Sequence, residues 1–262
     1  MSEQISTLLL NISKEKPWHT KPVFCFTVDV DWASEKVLEL FFGEILSYKI
    51  FPTVFVTHAS KIIDKLFAEK KIERGIHPNF LKGSSQGDSF EEVIDACIKL
   101  APETKLCRSH HSYSSTAISH LLKNKYQFKL SSNTVTVLQQ HLQPVLHESG
   151  LLEFPIFFED GTQLYNQLGL RLEKYLENFT APGIKIISFH PMNFVINSPT
   201  LQYMRNIKDT LTREDYNNLS LEKVNQYKNR LKGIKDICVE ILNLSGKHEV
   251  LTLNELYNIS IS

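Results

Sequence analysis

Two aspartates, Asp29 and Asp31, end an otherwise apolar stretch, Val23-Phe24-Cys25-Phe26-Thr27-Val28. Such a run reads as a strand buried on both faces, and carboxylates two apart point to the same side of an extended chain. Like charges held that close must be paired, metal-bound or protonated. The plain alternative is that Asp31 caps a helix starting near Ser34. Further polar residues fall at or just past the ends of later apolar runs: His77, Arg108, His110, His111, Glu159, Asp160 and His190. Singly each has a structural use, as a turn residue, an ion-pair partner or a core histidine. Together they suit a divalent metal, Zn²⁺ above all, with Mn²⁺, Co²⁺ or Ni²⁺ also compatible with carboxylate and imidazole donors. Asp31, His77 and one more group would supply three ligands and leave a position for water.

The elements that must position these residues alternate between strand and helix patterns. Val37, Leu38, Phe41, Phe42, Ile45 and Leu46 fall at helical spacing within 34–48, and Thr53-Val54-Phe55-Val56 is the next strand. Helices follow at 60–70, 89–100 and 114–124, the second with Ser89 and Glu92 spaced as a capping box. Strands are expected at 72–77, 105–108 and 128–130. Residues 133–160 read as an irregular excursion containing strand candidates at 135–138 and 151–158. A helix over 164–178, a strongly apolar strand over 183–189, a long polar connection to about 219, a helix over 221–244 and a strand over 249–253 complete the pattern. This is an α/β chain, expected to form a distorted barrel of about seven parallel strands in one domain, 1–262. In such folds the carboxyl ends of the strands gather catalytic residues from distant positions, and every unusual polar residue above falls there.

Composition narrows the partners. With 29 basic and 29 acidic residues the chain has no net field to attract nucleic acid or an anionic membrane. Cys25, Cys97, Cys107 and Cys238 sit singly in apolar stretches, as buried thiols of a reducing compartment do. Leu8-Leu9-Leu10 is too short for a membrane span and lacks the flanks of a secretory leader, so a cytoplasmic location is expected.

The order of motifs resembles that of the NodB-homology polysaccharide deacetylases, carbohydrate esterase family four, and within them the WbmS-like branch of surface-polysaccharide biosynthesis. Thr27-Val28-Asp29-Val30-Asp31, Gly75-Ile76-His77-Pro78-Asn79-Phe80, Arg108-Ser109-His110-His111, Phe157-Phe158-Glu159-Asp160-Gly161 and Ile187-Ser188-Phe189-His190-Pro191 stand in the family's sequence order over about 22–191. The resemblance implies a general base at Asp29, metal ligands at Asp31 and His77, and a general acid at His190. It also implies that Arg108 holds the base, and that Asp160 tunes the histidine or pairs with Arg108. The chain departs from the family where a second histidine is usual four residues after His77, since Leu81 stands there, and where His110 and His111 replace a proline and an aromatic residue. An imidazole lost from one motif and gained in another makes His110 the expected third ligand, with His111 or Asn79 as substitutes. The implied reaction removes the N-acetyl group of an amino sugar, carrier-linked or in an oligosaccharide. The rival readings are a metal-dependent phosphoesterase or amidohydrolase, and a catalytically silent carbohydrate-binding homologue.

Overall fold

The computed structural model describes residues 3–262. Its centre is β1 (Pro22–Asp29), buried along its whole length. In chain order follow β2 (Thr53–Val56), β3 (Glu73–Ile76), β4 (Leu106–Cys107), β5 (Leu130–Ser131), β6 (Val145–Leu146), β7 (Leu152–Glu153), β8 (Ile156–Glu159), β9 (Gly183–Phe189) and β10 (Glu249–Val250). The sheet runs β6-β7-β5-β4-β3-β2-β1-β9-β8, and β10 also pairs with β1. One edge of β1 is shared: β10 takes its first half at Val23 and Phe24, and β2 its second half from Thr27 to Asp29. Every strand pair is parallel except the β6–β7 hairpin.

The expected seven-stranded barrel is therefore corrected to a curled, mostly parallel sheet of ten short strands. Between β5 and β8 the curl is joined by a single bridge, Val135 to Ile156, and by backbone bonds such as Thr136 N to Ile156 O at 2.9 Å. The 135–138 candidate thus contributes a bridge instead of a strand, because most strands on that side are two residues long.

Helices cover the sheet: α1 (Glu3–Ile12), α2 (Glu35–Ile45), α3 (Lys61–Ala68), α4 (Phe90–Leu100), α5 (Thr116–His120), α6 (Asp160–Tyr165), α7 (Leu176–Thr180), α8 (Pro191–Val195), α9 (Leu201–Asp209), α10 (Arg213–Asn217), α11 (Leu221–Tyr227), α12 (Ile234–Ser245) and α13 (Leu253–Ile261). Ser34, Ser60 and Ser89 cap α2, α3 and α4 through their hydroxyls, and Glu92 completes the capping box of α4. The helix expected over 164–178 is instead two short helices, α6 and α7, with a 3₁₀ turn before the second. The helix expected over 221–244 is broken between α11 and α12 at Gly233, whose backbone lies so close to Asn197 that a Cβ would meet Asn197 O at 2.2 Å. The connection after Pro191 is largely helical, in α8, α9 and α10, and the strand expected over 249–253 stops at Val250 because Thr252 caps α13.

Strand alternation sorts the core. Phe24, Phe26 and Val28 pack with Val37, Phe41 and Phe42 of α2 and Ile237 and Ile241 of α12. Val23 and Cys25 face the inside of the curl with Phe55, Leu106, Leu130, Leu152 and Ile186. Leu253 and Leu256 of α13 join this inner cluster, as does Trp18. Above it the inward column turns polar, at Thr27 and Asp29 on β1 and at Ser188 on β9. Gly75 on β3 is required by the same packing: a Cβ there would lie 2.5 Å from the Phe55 ring.

Candidate active site

At the carboxyl ends of the strands a cavity of about 480 Å³ is lined by Asp29, Asp31, His77, His110, Glu159 and His190, among others. Beneath Asp29, behind the cavity wall, lies Arg108, a large fully buried side chain placed just after β4. Arg108 Nη1 donates to Thr27 Oγ1 at 2.7 Å, to Ser188 Oγ at 2.9 Å and to Asp29 Oδ1 at 3.1 Å. Its Nε and Nη2 donate to Ser132 O and Oγ, at 2.8 and 2.7 Å. The guanidinium lies 4.5 Å from the centre of the Phe55 ring, which separates it from the apolar base. Asp29 Oδ2 accepts from Ser188 Oγ at 3.2 Å. Burial pushes the Asp29 carboxyl up, but Arg108, His77 and His190 outweigh it and hold it below the ordinary carboxylate range.

Asp31 does not share the extended backbone of Asp29. The strand ends at Asp29, and Asp31 and Trp32 take left-handed conformations, φ 46° and 55°, in a tight turn. The turn is held by Ala33 N to Val30 O at 3.0 Å and Trp32 N to Thr57 Oγ1 at 3.1 Å. Two successive non-glycine residues there store strain of order 1–3 kcal/mol each. Ser34, not Asp31, caps α2, so the Asp31 carboxylate is free of that duty.

His77 follows β3 and is 2% exposed. His110 opens a short turn anchored by His110 N to Pro78 O at 2.9 Å. His110 Nδ1 lies 2.9 Å and His77 Nε2 3.3 Å from Asp31 Oδ1, and one donor atom from each of the three residues lies within 4.8 Å of the others. Burial pushes the Asp31 carboxyl up, while hydrogen bonds from both imidazoles win and take it well down. A carboxylate with two imidazoles is a donor set that fits a divalent cation, and the buried His77 Nδ1 has no hydrogen-bond partner among the described residues. His111 is exposed, its ring stacked edgewise on His110 at 4.3 Å. The Asn79 amide oxygen is engaged, Oδ1 accepting from Leu81 N at 3.1 Å.

His190 follows β9 on the other side of the cavity. Asp160, fully buried at the start of α6, holds it at two points: Oδ1 lies 2.5 Å from His190 Nδ1, and Oδ2 accepts from His190 N at 2.8 Å. The opposite ring nitrogen, Nε2, faces Asp31 Oδ2 at 3.8 Å and Asp29 Oδ2 at 4.0 Å. Burial alone would lower the pKa of this imidazolium, but Asp160, Asp31 and Asp29 raise it well above the ordinary histidine value. Asp29, Glu159 and His190 form a second group with donor atoms within 4.8 Å. There Arg108 and Asp160 already engage two of the three members, which makes it the weaker seat for a cation.

Sequence reasoning did not single out Thr27, Ser188 or Ser132 as partners of Arg108. The first two had a signal, as lone hydroxyls at inward positions of apolar strands; Ser132, in the irregular stretch after β5, had none.

The sequence profile described as WbmS-like polysaccharide deacetylase matches residues 26–208. No curated protein matches the chain. Among solved structures, a Bordetella bronchiseptica protein assigned as a polysaccharide deacetylase involved in O-antigen biosynthesis superposes with a TM-score of 0.73 at 23% identity, covering 85% of this chain and 90% of its own. That likeness shows a shared fold, while the profile spans well over half of the present sequence. The chain belongs to the WbmS-like polysaccharide deacetylase family.

Proposed function

We propose that the protein hydrolyses the N-acetyl group of an amino sugar in a surface polysaccharide or its precursor, using a divalent metal, Zn²⁺ by preference. The observation that carries this reading is the meeting, in one cavity, of a three-donor metal seat with an Arg-held carboxylate and an Asp-held imidazole. A cation held by Asp31, His77 and His110 would polarise the acetamide carbonyl and bring the pKa of a water from ~16 towards ~7.

Asp29 then acts as the base. Arg108 keeps it ionised, and it takes the proton of the attacking water as the new C–O bond forms. His190, kept protonated by Asp160, delivers its proton to the nitrogen as the C–N bond breaks, giving acetate and a free amine. Acid and base help of this kind is worth roughly 10²–10⁴-fold each. No described helix is long and apolar enough to cross a membrane. All four cysteines are free and buried, which supports a reducing, cytoplasmic site of action.

The test is acetate release from N-acetylated sugars by metal-loaded protein, with the Asp29→Asn variant alongside. Loss of at least about a hundredfold in turnover with metal still bound is expected. Near-normal turnover would overturn the assignment of the base. A bound metal without acetate release would point to phosphoester or other amide hydrolysis, and neither metal nor acetate to a silent sugar-binding protein.

A further inference from the structure

One wall of the active-site cavity is basic, and none of the chemistry above uses it. Leu201, Met204, Arg205 and Lys208 form one face of α9, at the i, i+3, i+4, i+7 spacing of a helix, and all four line the cavity. Neither the Arg205 nor the Lys208 side chain makes an ion pair or hydrogen bond among the described residues; Lys208 Nζ lies over the Tyr216 ring at 5.4 Å.

Beyond this wall opens a second cavity of about 740 Å³, which shares Tyr165, Leu201 and Arg205 with the first. Arg171, Lys174 and Lys232 also line it, and no carboxylate does. Arg171 has a loose, exposed partner in Glu173 at 3.5 Å, while Lys174 and Lys232 have none among the described residues. The Lys232 segment is fixed from behind, because Asn197 Nδ2 and Asn229 Nδ2 both donate to Leu231 O, at 2.9 and 3.0 Å. In a chain with equal numbers of acids and bases, four cations around one acid-free cavity are a local segregation of charge. A cleft of one sign concentrates ligands of the other.

We infer that this basic cavity binds the diphosphate of a sugar carried on a diphosphate ester. The inference rests on the deacetylase reading and narrows its substrate. A neutral polysaccharide has no use for the cations, and a single carboxylate is matched by one guanidinium. A diphosphate carries enough charge to use several. In a 2-acetamido sugar 1-diphosphate, the carbon bearing phosphate adjoins the one bearing the acetamide. With the acetamide among Asp31, His77 and His110, the diphosphate passes Arg205, which both cavities share, and lies in the larger one among Arg171, Lys174 and Lys232.

Calorimetry with inorganic pyrophosphate, uridine diphosphate and farnesyl diphosphate tests the anion site without catalysis. Wild-type protein should bind the diphosphates, and the exposed triple variant Lys174→Ala/Arg205→Ala/Lys232→Ala should lose about tenfold in affinity per cation removed. Equal binding by both proteins, or none by either, overturns the inference. In acetate-release assays, a diphosphate-linked N-acetylhexosamine should show a lower KM than the free sugar or its uronate, and the triple variant should raise that KM. Equal KM values for all three, or preference for the uronate, overturn the inference while leaving deacetylation standing. Diphosphate binding lost in the variant, with no acetate from any sugar, upholds the anion site and overturns the deacetylase reading instead. Whichever diphosphate binds more tightly, nucleoside or isoprenoid, identifies the carrier.

Discussion

Replacing Arg108 by Met removes a guanidinium that is 1% exposed and makes five donor contacts, while leaving the Asp29 carboxylate buried without its counter-charge. Met roughly fills the stem volume, so the loss is mainly electrostatic. Breaking one side of a buried pair costs about 3–5 kcal/mol, because the remaining charge is desolvated and uncompensated. The cost at Arg108 should sit in that range, since Thr27, Ser188 and Ser132 also lose a donor. Asp29→Asn alone should cost less, because Arg108 keeps its four other acceptor contacts. In the double variant neither charge remains, so the two losses should not add, and a coupling of about 1–3 kcal/mol is expected. Urea unfolding at pH 7, followed by far-ultraviolet circular dichroism on all four proteins, measures each term. An Arg108→Met variant within about 1 kcal/mol of wild type, or a coupling near zero, would refute the claim that this pair holds the cavity wall at Asp29.

Asp160→Asn removes the strongest support for the protonated form of His190. The basic limb of the pH–rate profile should move to lower pH, with metal content retained; an unmoved limb would show that another group is the acid. His110→Ala should abolish, and His111→Ala preserve, a Zn²⁺-dependent rise of roughly 5–10 °C in melting temperature that a chelator reverses; the opposite pattern would move the third ligand to His111. Lys185 on β9 is buried over the Phe157 ring at 4.3 Å, and burial lowers its pKa from 10.5 to about 8. The unfolded chain binds the extra proton between those values, so this group's penalty is full below pH 8 and fades as pH rises to 10.5. Lys185→Met should therefore stabilise by roughly 3 kcal/mol at pH 7, at 1.36 kcal/mol per pH unit, and the gain should shrink above pH 8. A pH-independent gain would contradict that origin.

The parts of the fold legible in the sequence are those whose pattern is set by burial on a regular element. β1, β9 and α2 are long enough for alternation or helical spacing to show, and Ser89 with Glu92 marks the start of α4. What was not legible depends on distant contacts. Nothing local says that the strand ends at Asp29 and turns through left-handed Asp31 and Trp32, because Thr57, in another segment, fixes that turn. Gly233 breaks the last long helical pattern because Asn197, far off in sequence, occupies its Cβ position. Asp31, His77 and His110 could be nominated from residue type and motif order, and they do converge. The choice of Asp160 as partner of His190, when either it or Arg108 was open, required the coordinates: Asp160 binds His190 at two points, while Arg108 is filled by Thr27, Asp29, Ser188 and Ser132. The basic face of α9 lay hidden in what reads as a polar connection.

The inward column of β1 reads Val23, Cys25, Thr27, Asp29, and that of β9 reads Ile184, Ile186, Ser188, so both change from apolar to polar at the same level of the curl. Arg108 sits at that level, with Phe55 beneath it and Asp29 above. Its acceptors come from β1, β9 and the segment after β5, three places in the chain that the sheet holds around one interior. Lysine offers one compact ammonium and could not reach acceptors spread in a plane, whereas a guanidinium presents a rigid fork. The same five contacts that satisfy the buried charge also fix where the Asp29 carboxylate points. Stability and the orientation of the Asp29 carboxylate are thus one geometric requirement at Arg108, while the strain of the Asp31 turn is confined to the rim, away from Phe24, Phe26 and Val28.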